Sequence, residues 1–120
     1  FYLIRNSEIF GLTRQEVEIV AHIARYHRRS GPKLSHVEFM SLARESRVVI
    51  SKLAAILRVA DALSRSQIKP IKAIRLERQD DDLTIYLPSQ RPLILEERAL
   101  DLKKDMFEDI YGLRIRLEEA

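Results

Sequence analysis

The feature that most constrains the fold is a long amphipathic run that begins near Ser46 and contains no glycine or proline before Pro70. Apolar residues recur along it at the three- and four-residue intervals of a helix face, so it predicts one long helix. Asp61 interrupts this run, and an isolated buried carboxylate is costly. We therefore expect Asp61 to lie on the polar edge of the helix or to be paired, with His27 and the cations near it as candidate partners. The apolar positions are Val49, Leu53, Ile56, Leu57, Ala60 and Leu63.

A second helix is predicted upstream, from about Arg14 to Arg28. Thr13 is placed as its N-cap and Glu16 closes a capping box three residues later, a specific signal for a helix start. The segment Ser30–Pro32 ends it, because glycine and proline interrupt helices. Beyond it, Ser35 and Glu38 form a second capping box that predicts a short helix through Phe39 to Ala43.

After Pro70 the apolar residues alternate with polar ones, which indicates strands. A turn at Gln79–Asp82 separates two alternating runs and predicts an antiparallel hairpin. Leu93–Leu95 is predicted as a third strand, followed by one helix that ends at Gly112 and by a last strand from Leu113 to Glu118. The predicted fold class is α+β, with helices over residues 1 to about 70 and a small antiparallel sheet with one crossing helix over 71–120.

Composition limits the class of protein. With 120 residues and 46% apolar residues, the chain is predicted to be a single domain that buries its core without staples. It contains no cysteine, which removes disulfides and thiolate zinc sites. No apolar run approaches the roughly 18 residues of a membrane span, so we expect a soluble, cytoplasmic domain without a membrane partner. Because Phe1 is not an initiator residue, we expect further chain upstream.

Few residues offer catalytic or metal chemistry. His22 and His27 are five positions apart, so they point in different directions on a helix, whereas paired ligands usually stand four apart. His27 and Asp61 could supply two ligands from neighbouring helices, but no third is clearly placed. We expect His22 to be a partly exposed polar residue without a function. Three glycines in the whole chain exclude a P-loop or a dinucleotide-binding fingerprint, and no serine-nucleophile elbow is present.

The remaining signal is basic charge. Residues 1–72 hold 13 lysines and arginines against 6 acidic residues, and residues 73–120 hold 8 against 12, giving +7 and −4. Such asymmetry indicates either an anionic partner or a charge match between the two halves. Arginine forks suit phosphate oxygens, although cations at a helix end also complement its dipole. The candidate polyanion-binding residues are Arg25, Arg28, Arg29, Lys33, Arg58, Arg65 and Lys69.

Four segments resemble the carboxy-terminal region of the exopolyphosphatase and guanosine pentaphosphate phosphohydrolase family. They are Tyr2 to Glu8 (YLIRNSE), Phe10 to Thr13 (FGLT), Ala24 to Arg28 (ARYHR) and Leu57 to Ser66 (LRVADALSRS). The β-rich tail, with a helix, a Tyr-Gly pair and a strand, is similar as well. The resemblance therefore covers nearly the whole chain.

This resemblance implies an accessory role. In the family, two amino-terminal actin-like domains hydrolyse the terminal phosphoanhydride of polyphosphate or of the guanosine pentaphosphate alarmone, using magnesium and acidic residues. Those domains are absent from this chain, which on its own is expected to be inactive and to need no cofactor. The helical part resembles the HD phosphohydrolase fold, which in this family helps to hold the polyanion and to form dimers. The implied partners are polyphosphate, the upstream actin-like domains and a second copy.

By the same resemblance, His27 matches a later histidine of the HD pattern and Asp61 its final aspartate. The first histidine and the His-Asp doublet of that pattern would fall before Phe1 and are absent. We therefore interpret His27 and Asp61 as a structural relic, an ion pair or hydrogen bond between two helices, with no metal and no catalytic residue. Two alternatives stay open: an HD-type phosphohydrolase that acts on nucleotides with a divalent metal, and a module whose main task is dimerisation.

Overall fold

The computed structural model describes residues 1–28, 31–33, 36–64, 74–88 and 92–119. Helices come first and a small sheet follows, which confirms the α+β class. The chain divides into two compact units, residues 1–57 and 58–120, with the boundary inside α4. The elements are α1 (Tyr2–Arg5), α2 (Arg14–Arg28), α3 (Val37–Met40), α4 (Arg44–Leu63), β1 (Arg75–Gln79), β2 (Asp82–Leu87), α5 (Ile94–Lys103), α6 (Asp105–Tyr111) and β3 (Arg114–Glu119).

The capping box that predicts the start of α2 is confirmed. The backbone N–H of Glu16 donates to Thr13 Oγ1 over 3.1 Å, and the backbone N–H of Thr13 donates to Glu16 Oε1 over 2.9 Å. These two bonds satisfy donors that a helix start otherwise leaves unpaired. The hydrogen bonds from the Thr13 backbone and hydroxyl lower the pKa of Glu16, since they favour its charged form.

In the first unit, α1 packs against α2. Arg5 Nε lies 3.1 Å from Glu18 Oε1, and Arg14 donates to the carbonyl of Arg5 over 2.6 Å, so ionic and hydrogen-bond contacts join the two segments. The short helix predicted from a capping box at Ser35 and Glu38 is present as Val37–Met40 and ends before Ala43. Its N-cap is His36, without a side-chain cap bond, and Ser35 lies outside the described residues. The most deeply buried residues of this unit are Val17, Ala21, His22, Tyr26, Phe39, Ser46, Ile50, Ala54 and Ala55.

In the second unit, the hairpin of β1 and β2 is confirmed, with Asp80 in the left-handed region at φ 55° within its turn. The sheet as a whole is mixed and not antiparallel, because β3 pairs with β2 in parallel. The reason is the connection: after β2 the chain crosses through two helices before it returns, and such a crossover makes the strands parallel.

The prediction of a third strand at Leu93–Leu95 is wrong. Leu93 is the N-cap of α5, and Ile94 and Leu95 form its first turn. The single helix predicted before Gly112 is two helices, α5 and α6, that meet at Lys104. Gly112 caps α6 in the left-handed conformation (φ 67°, ψ 23°), as predicted. The core of this unit consists of Val59, Ala62, Ile85, Leu87, Leu93, Leu100 and Ile115.

Candidate anion-binding surface

Arg25 is held on the side of α2 by contacts within the first unit. Its Nη1 atom lies 3.9 Å from Glu38 Oε2, and its guanidinium carbon lies 5.2 Å and 5.5 Å from the ring centres of Phe1 and Tyr26. These distances fit cation–π contacts. The side chain is 31% exposed, so Arg25 is positioned by the fold and still reaches solvent.

Glu38 partly offsets the charge of Arg25. The pKa of Glu38 is lowered chiefly by a hydrogen bond from its own backbone N–H, and further by the cations of Arg25 and Arg5 and by the Tyr2 hydroxyl. The carboxylate is therefore ionised at neutral pH. Arg25 is therefore one partner of an ion pair with Glu38. A phosphate that bound to Arg25 would compete with this carboxylate or share the guanidinium with it.

Lys33 is different, because it is exposed and no carboxylate lies within 4 Å of it in the described part of the chain. It stands five residues past the end of α2 at Arg28. Two candidate cations, Arg28 and Arg29, precede Lys33 in the sequence. The backbone of Arg28 ends α2, but its side chain and the whole of Arg29 lie outside the described residues. Lys33 is thus the exposed, uncompensated member of this group.

Arg58 does not belong to an exposed surface. It lies in α4, its side chain is 6% exposed, and its Nη2 atom is 3.6 Å from Asp105 Oδ1 at the start of α6. A guanidinium in this position joins two helices of the second unit, and a part for Arg58 in anion binding stays a prediction. Arg65 and Lys69 lie outside the described residues, and their role stays a prediction.

Asp61 is paired, as its position in an apolar helix requires. Its carboxylate forms an ion pair with the ammonium of Lys103 in the last turn of α5, and its side chain is 38% exposed. Sequence reasoning missed this partner, although Lys103 is a cation at a helix C-terminus, where the dipole favours one. His27 donates from Nδ1 to the carbonyl of Ile23 over 3.3 Å. It lies in the first unit and Asp61 in the second, so a tie between them stays a prediction.

His22 is fully buried, which corrects the expectation of a partly exposed residue. Its Nδ1–H donates to the carbonyl of Glu18 over 2.8 Å, and its ring packs edge-on against Phe1 with centroids 4.8 Å apart. These contacts accommodate the ring and Nδ1, whereas Nε2 is buried without a hydrogen-bond partner among the described residues. Within the described ranges, no three histidine or acidic side chains stand close enough to hold a metal ion.

Sequence reasoning also missed a bond between Tyr26 and His36. The Tyr26 hydroxyl lies 2.7 Å from His36 Nδ1, and the two rings stack with centroids 5.4 Å apart. The backbone N–H of Lys33 donates to the same His36 Nδ1 over 3.4 Å, so this nitrogen accepts and the Tyr26 hydroxyl donates to it. Burial raises the pKa of Tyr26, which favours its protonated form. With Phe1, His22 and Phe39 these rings form an aromatic cluster on which Arg25 rests.

The family model described as Ppx/GppA phosphatase, domain III, matches residues 1–106. No curated protein matches the chain. Among the described residues, no helix has the length and apolar character needed to cross a membrane.

Proposed function

The chain belongs to the Ppx/GppA phosphatase family, as its domain III, and from this premise we propose that it binds polyphosphate or a related polyanion and supports dimerisation. The domain is accessory to the phosphatase. Phosphoanhydride hydrolysis, and the magnesium that assists it, are proposed to belong to actin-like domains of the same protein that this sequence does not include.

The observation that carries the binding proposal is the exposed, uncompensated charge of Lys33, which follows α2 in the same unit as the partly exposed Arg25. Cations at the end of a helix are often explained by the helix dipole, but that effect fades within the last turn. Lys33 lies beyond this range, so the dipole does not account for it. An anionic ligand does, and it would also draw on Arg25, Arg28 and Arg29.

Polyphosphate suits such a group because it repeats its charge along a flexible chain. Arginine offers paired donors that match two phosphate oxygens, and lysine adds a mobile point charge. Binding would be driven largely by release of counterions, which makes affinity depend strongly on salt. No cavity is required, since a linear polyanion can lie along an exposed surface.

The metal-dependent alternative fits the described residues less well. A catalytic divalent site needs at least three protein ligands, and no group of three is found in the described parts of the chain. Asp61 is already paired with Lys103. His27 and Asp61 do not form a complete ligand set, so we derive no metal chemistry from them.

A titration of the 120-residue chain with long-chain polyphosphate tests the binding proposal. We expect binding at about 50 mM salt that weakens markedly at about 200 mM. Polyglutamate of similar total charge serves as the control ligand, and it should bind more weakly because its carboxylates stand on separate flexible side chains and are spaced more widely than the phosphates of polyphosphate. Absence of polyphosphate binding at low salt would refute the proposal.

Charge-reversal variants place the ligand on the molecule. Lys33→Glu should weaken polyphosphate binding severalfold, whereas Arg98→Glu, an equally exposed position on α5 in the second unit, should leave the affinity unchanged. Equal effects of the two substitutions would show that only net charge matters.

Light scattering over a concentration series tests dimerisation separately. A mass that stays at 14.0 kDa, the mass of one chain, would be the contrary result.

A further inference from the structure

Strand β1 lies at the edge of the sheet that the described residues form. Within the described residues the strand order is β1-β2-β3, so β1 has a hydrogen-bonded neighbour on one side. All five of its residues, Arg75–Gln79, are exposed. Leu76 is 61% exposed although its cross-strand neighbour Ile85 is buried. An edge of this kind offers unpaired N–H and C=O groups to another strand.

A second copy of the chain can pair with this edge in only a few ways. A two-fold axis perpendicular to the sheet makes the two β1 strands antiparallel and keeps each face on the same side. Directly opposite residues then share a face, so their numbers differ by an even amount. The axis must therefore pass midway between one residue and the same residue of the second copy, so that this residue pairs with its own copy. The register is named below by that residue.

The charges of β1 select among these registers. An axis through Arg75, Glu77 or Arg78 places two like charges opposite each other, which destabilises a strand pair. An axis through Gln79 overlaps only the last residues of the strand, since β1 ends there. An axis through Leu76 places the two leucines opposite each other and sets Arg75 against Glu77 of the second copy, twice.

The Leu76-centred register also fits the surroundings of these side chains. Arg75 and Glu77 already form an ion pair on one face of the sheet, where Arg75 lies 4.1 Å from the centre of the Tyr86 ring and the Tyr86 hydroxyl donates to Glu77 over 3.2 Å. Pairing would close a square of four alternating charges between two tyrosines. On the other face, the two exposed Leu76 side chains would pack against each other and become buried.

We infer that β1 is a homodimer interface in which it pairs antiparallel with β1 of a second copy, with Leu76 opposite Leu76, to form a six-stranded sheet. This inference rests on the dimerisation part of the proposed function and names its surface. It does not involve polyanion binding. The occupant is a second copy of this chain, because β1 is complementary to itself in this one register.

Disulfide trapping tests the register directly, because the chain has no native cysteine. A Leu76→Cys variant should form a disulfide-linked dimer readily under mild oxidation, since directly opposite residues lie within the reach of a disulfide. Arg78→Cys is the matched control on the same face. Its two thiols would be offset by four residues, roughly 13 Å along the strand, and should not link. Equal linkage of both variants, or none, would overturn the inference.

Charge exchange gives a second test by sedimentation equilibrium. Glu77→Arg should raise the dimer dissociation constant at least tenfold, because it sets arginine against arginine. The double variant Arg75→Glu/Glu77→Arg exchanges the charges within the strand and between copies, and should restore dimerisation. Circular dichroism checks that both remain folded. A chain that dimerises by light scattering but shows no response to these substitutions keeps the proposed dimerisation and refutes this interface.

Discussion

At the scale of single residues, Tyr26 shows how a polar group is kept inside this protein. The side chain is fully buried, yet its hydroxyl has a well-placed acceptor in His36 Nδ1 at 2.7 Å. Burying a hydroxyl without a partner would cost free energy, whereas this bond recovers it.

Tyr26→Phe should therefore lower the free energy of unfolding by about 0.5–1.5 kcal/mol, the net contribution of one hydrogen bond. Urea denaturation at neutral pH measures it, with Tyr2→Phe at an exposed position as the control. Since the pKa of Tyr26 is raised by burial, its protonated form contributes stability that is complete below pH 10, near its unfolded value, and is lost as the pH rises through the folded value. Tyr26→Phe should therefore lose less unfolding free energy at alkaline pH than the unsubstituted chain does.

Arg58 provides a second prediction, on the separation of stability from binding. Because its guanidinium is buried against Asp105, Arg58→Met should lower the free energy of unfolding by about 1–3 kcal/mol and leave polyphosphate affinity within twofold. Arg25→Met should reduce affinity, because Arg25 is 31% exposed and lies in the same unit as Lys33. Chemical denaturation and the titration, run on both variants, check this. A loss of affinity at Arg58 equal to that at Arg25 would contradict the assignment.

At the scale of elements, the parts that sequence predicts are those with local signals. The start of α2 follows from Thr13 and Glu16, and the end of α6 follows from Gly112, because caps depend on side chains within a few positions. The start of α5 was missed for a physical reason. Leu93, Glu96 and Leu100 are buried at helical spacing, but a buried glutamate breaks the apolar pattern, and the run Leu93–Leu95 then looks like a strand.

Two further features could not be predicted from the sequence, for another reason. They are the direction of β3 and the ion-pair partners of Arg58 and Asp61. Whether β3 joins in parallel depends on where the crossover returns, which no local pattern encodes. Ion pairs such as Asp61 with Lys103 join residues 42 positions apart. The candidate cations could be identified from the sequence, but only the structure shows that Arg58 is buried against Asp105 and that Lys33 is exposed.

The capping box of α2 yields a prediction on acid stability. Hydrogen bonds from Thr13 lower the pKa of Glu16, so the stability that ionised Glu16 contributes is present above its unfolded value of about 4.5 and is lost as the pH falls through the folded value. Thr13→Ala should cost about 0.5–2 kcal/mol at neutral pH. Glu16→Gln should flatten the acid side of the stability curve, measured by thermal unfolding between pH 3 and 6 (roughly the range of carboxyl titration). Glu8→Gln, on an exposed residue, should leave that curve unchanged.

At the scale of the whole molecule, the net charge differs between the two units. Residues 1–57 carry nine lysines and arginines against five acidic residues, a net +4, whereas residues 58–120 carry twelve against thirteen, a net −1. Many cations of the second unit are paired within it, including Arg58, Lys103, Arg114 and Arg116. Binding of a polyanion is therefore expected to depend chiefly on the first unit, while Arg65 and Lys69 are the candidate cations of the second unit that lie outside the described residues.

This division predicts the salt dependence of binding. If Arg25, Arg28, Arg29 and Lys33 each neutralise one phosphate, the slope of log affinity against log salt is about −2.8, taking about 0.7 per contact for a flexible single strand. Affinity should then fall about 50-fold between about 50 and 200 mM salt. Lys33→Gln removes one contact, so the slope should become shallower by about 0.7, while Arg98→Gln should leave it unchanged. The measurement is a fluorescence titration with polyphosphate at four salt concentrations. A slope that Lys33→Gln does not alter would mean that the polyanion binds elsewhere, because counterion release counts only the cations that contact the ligand.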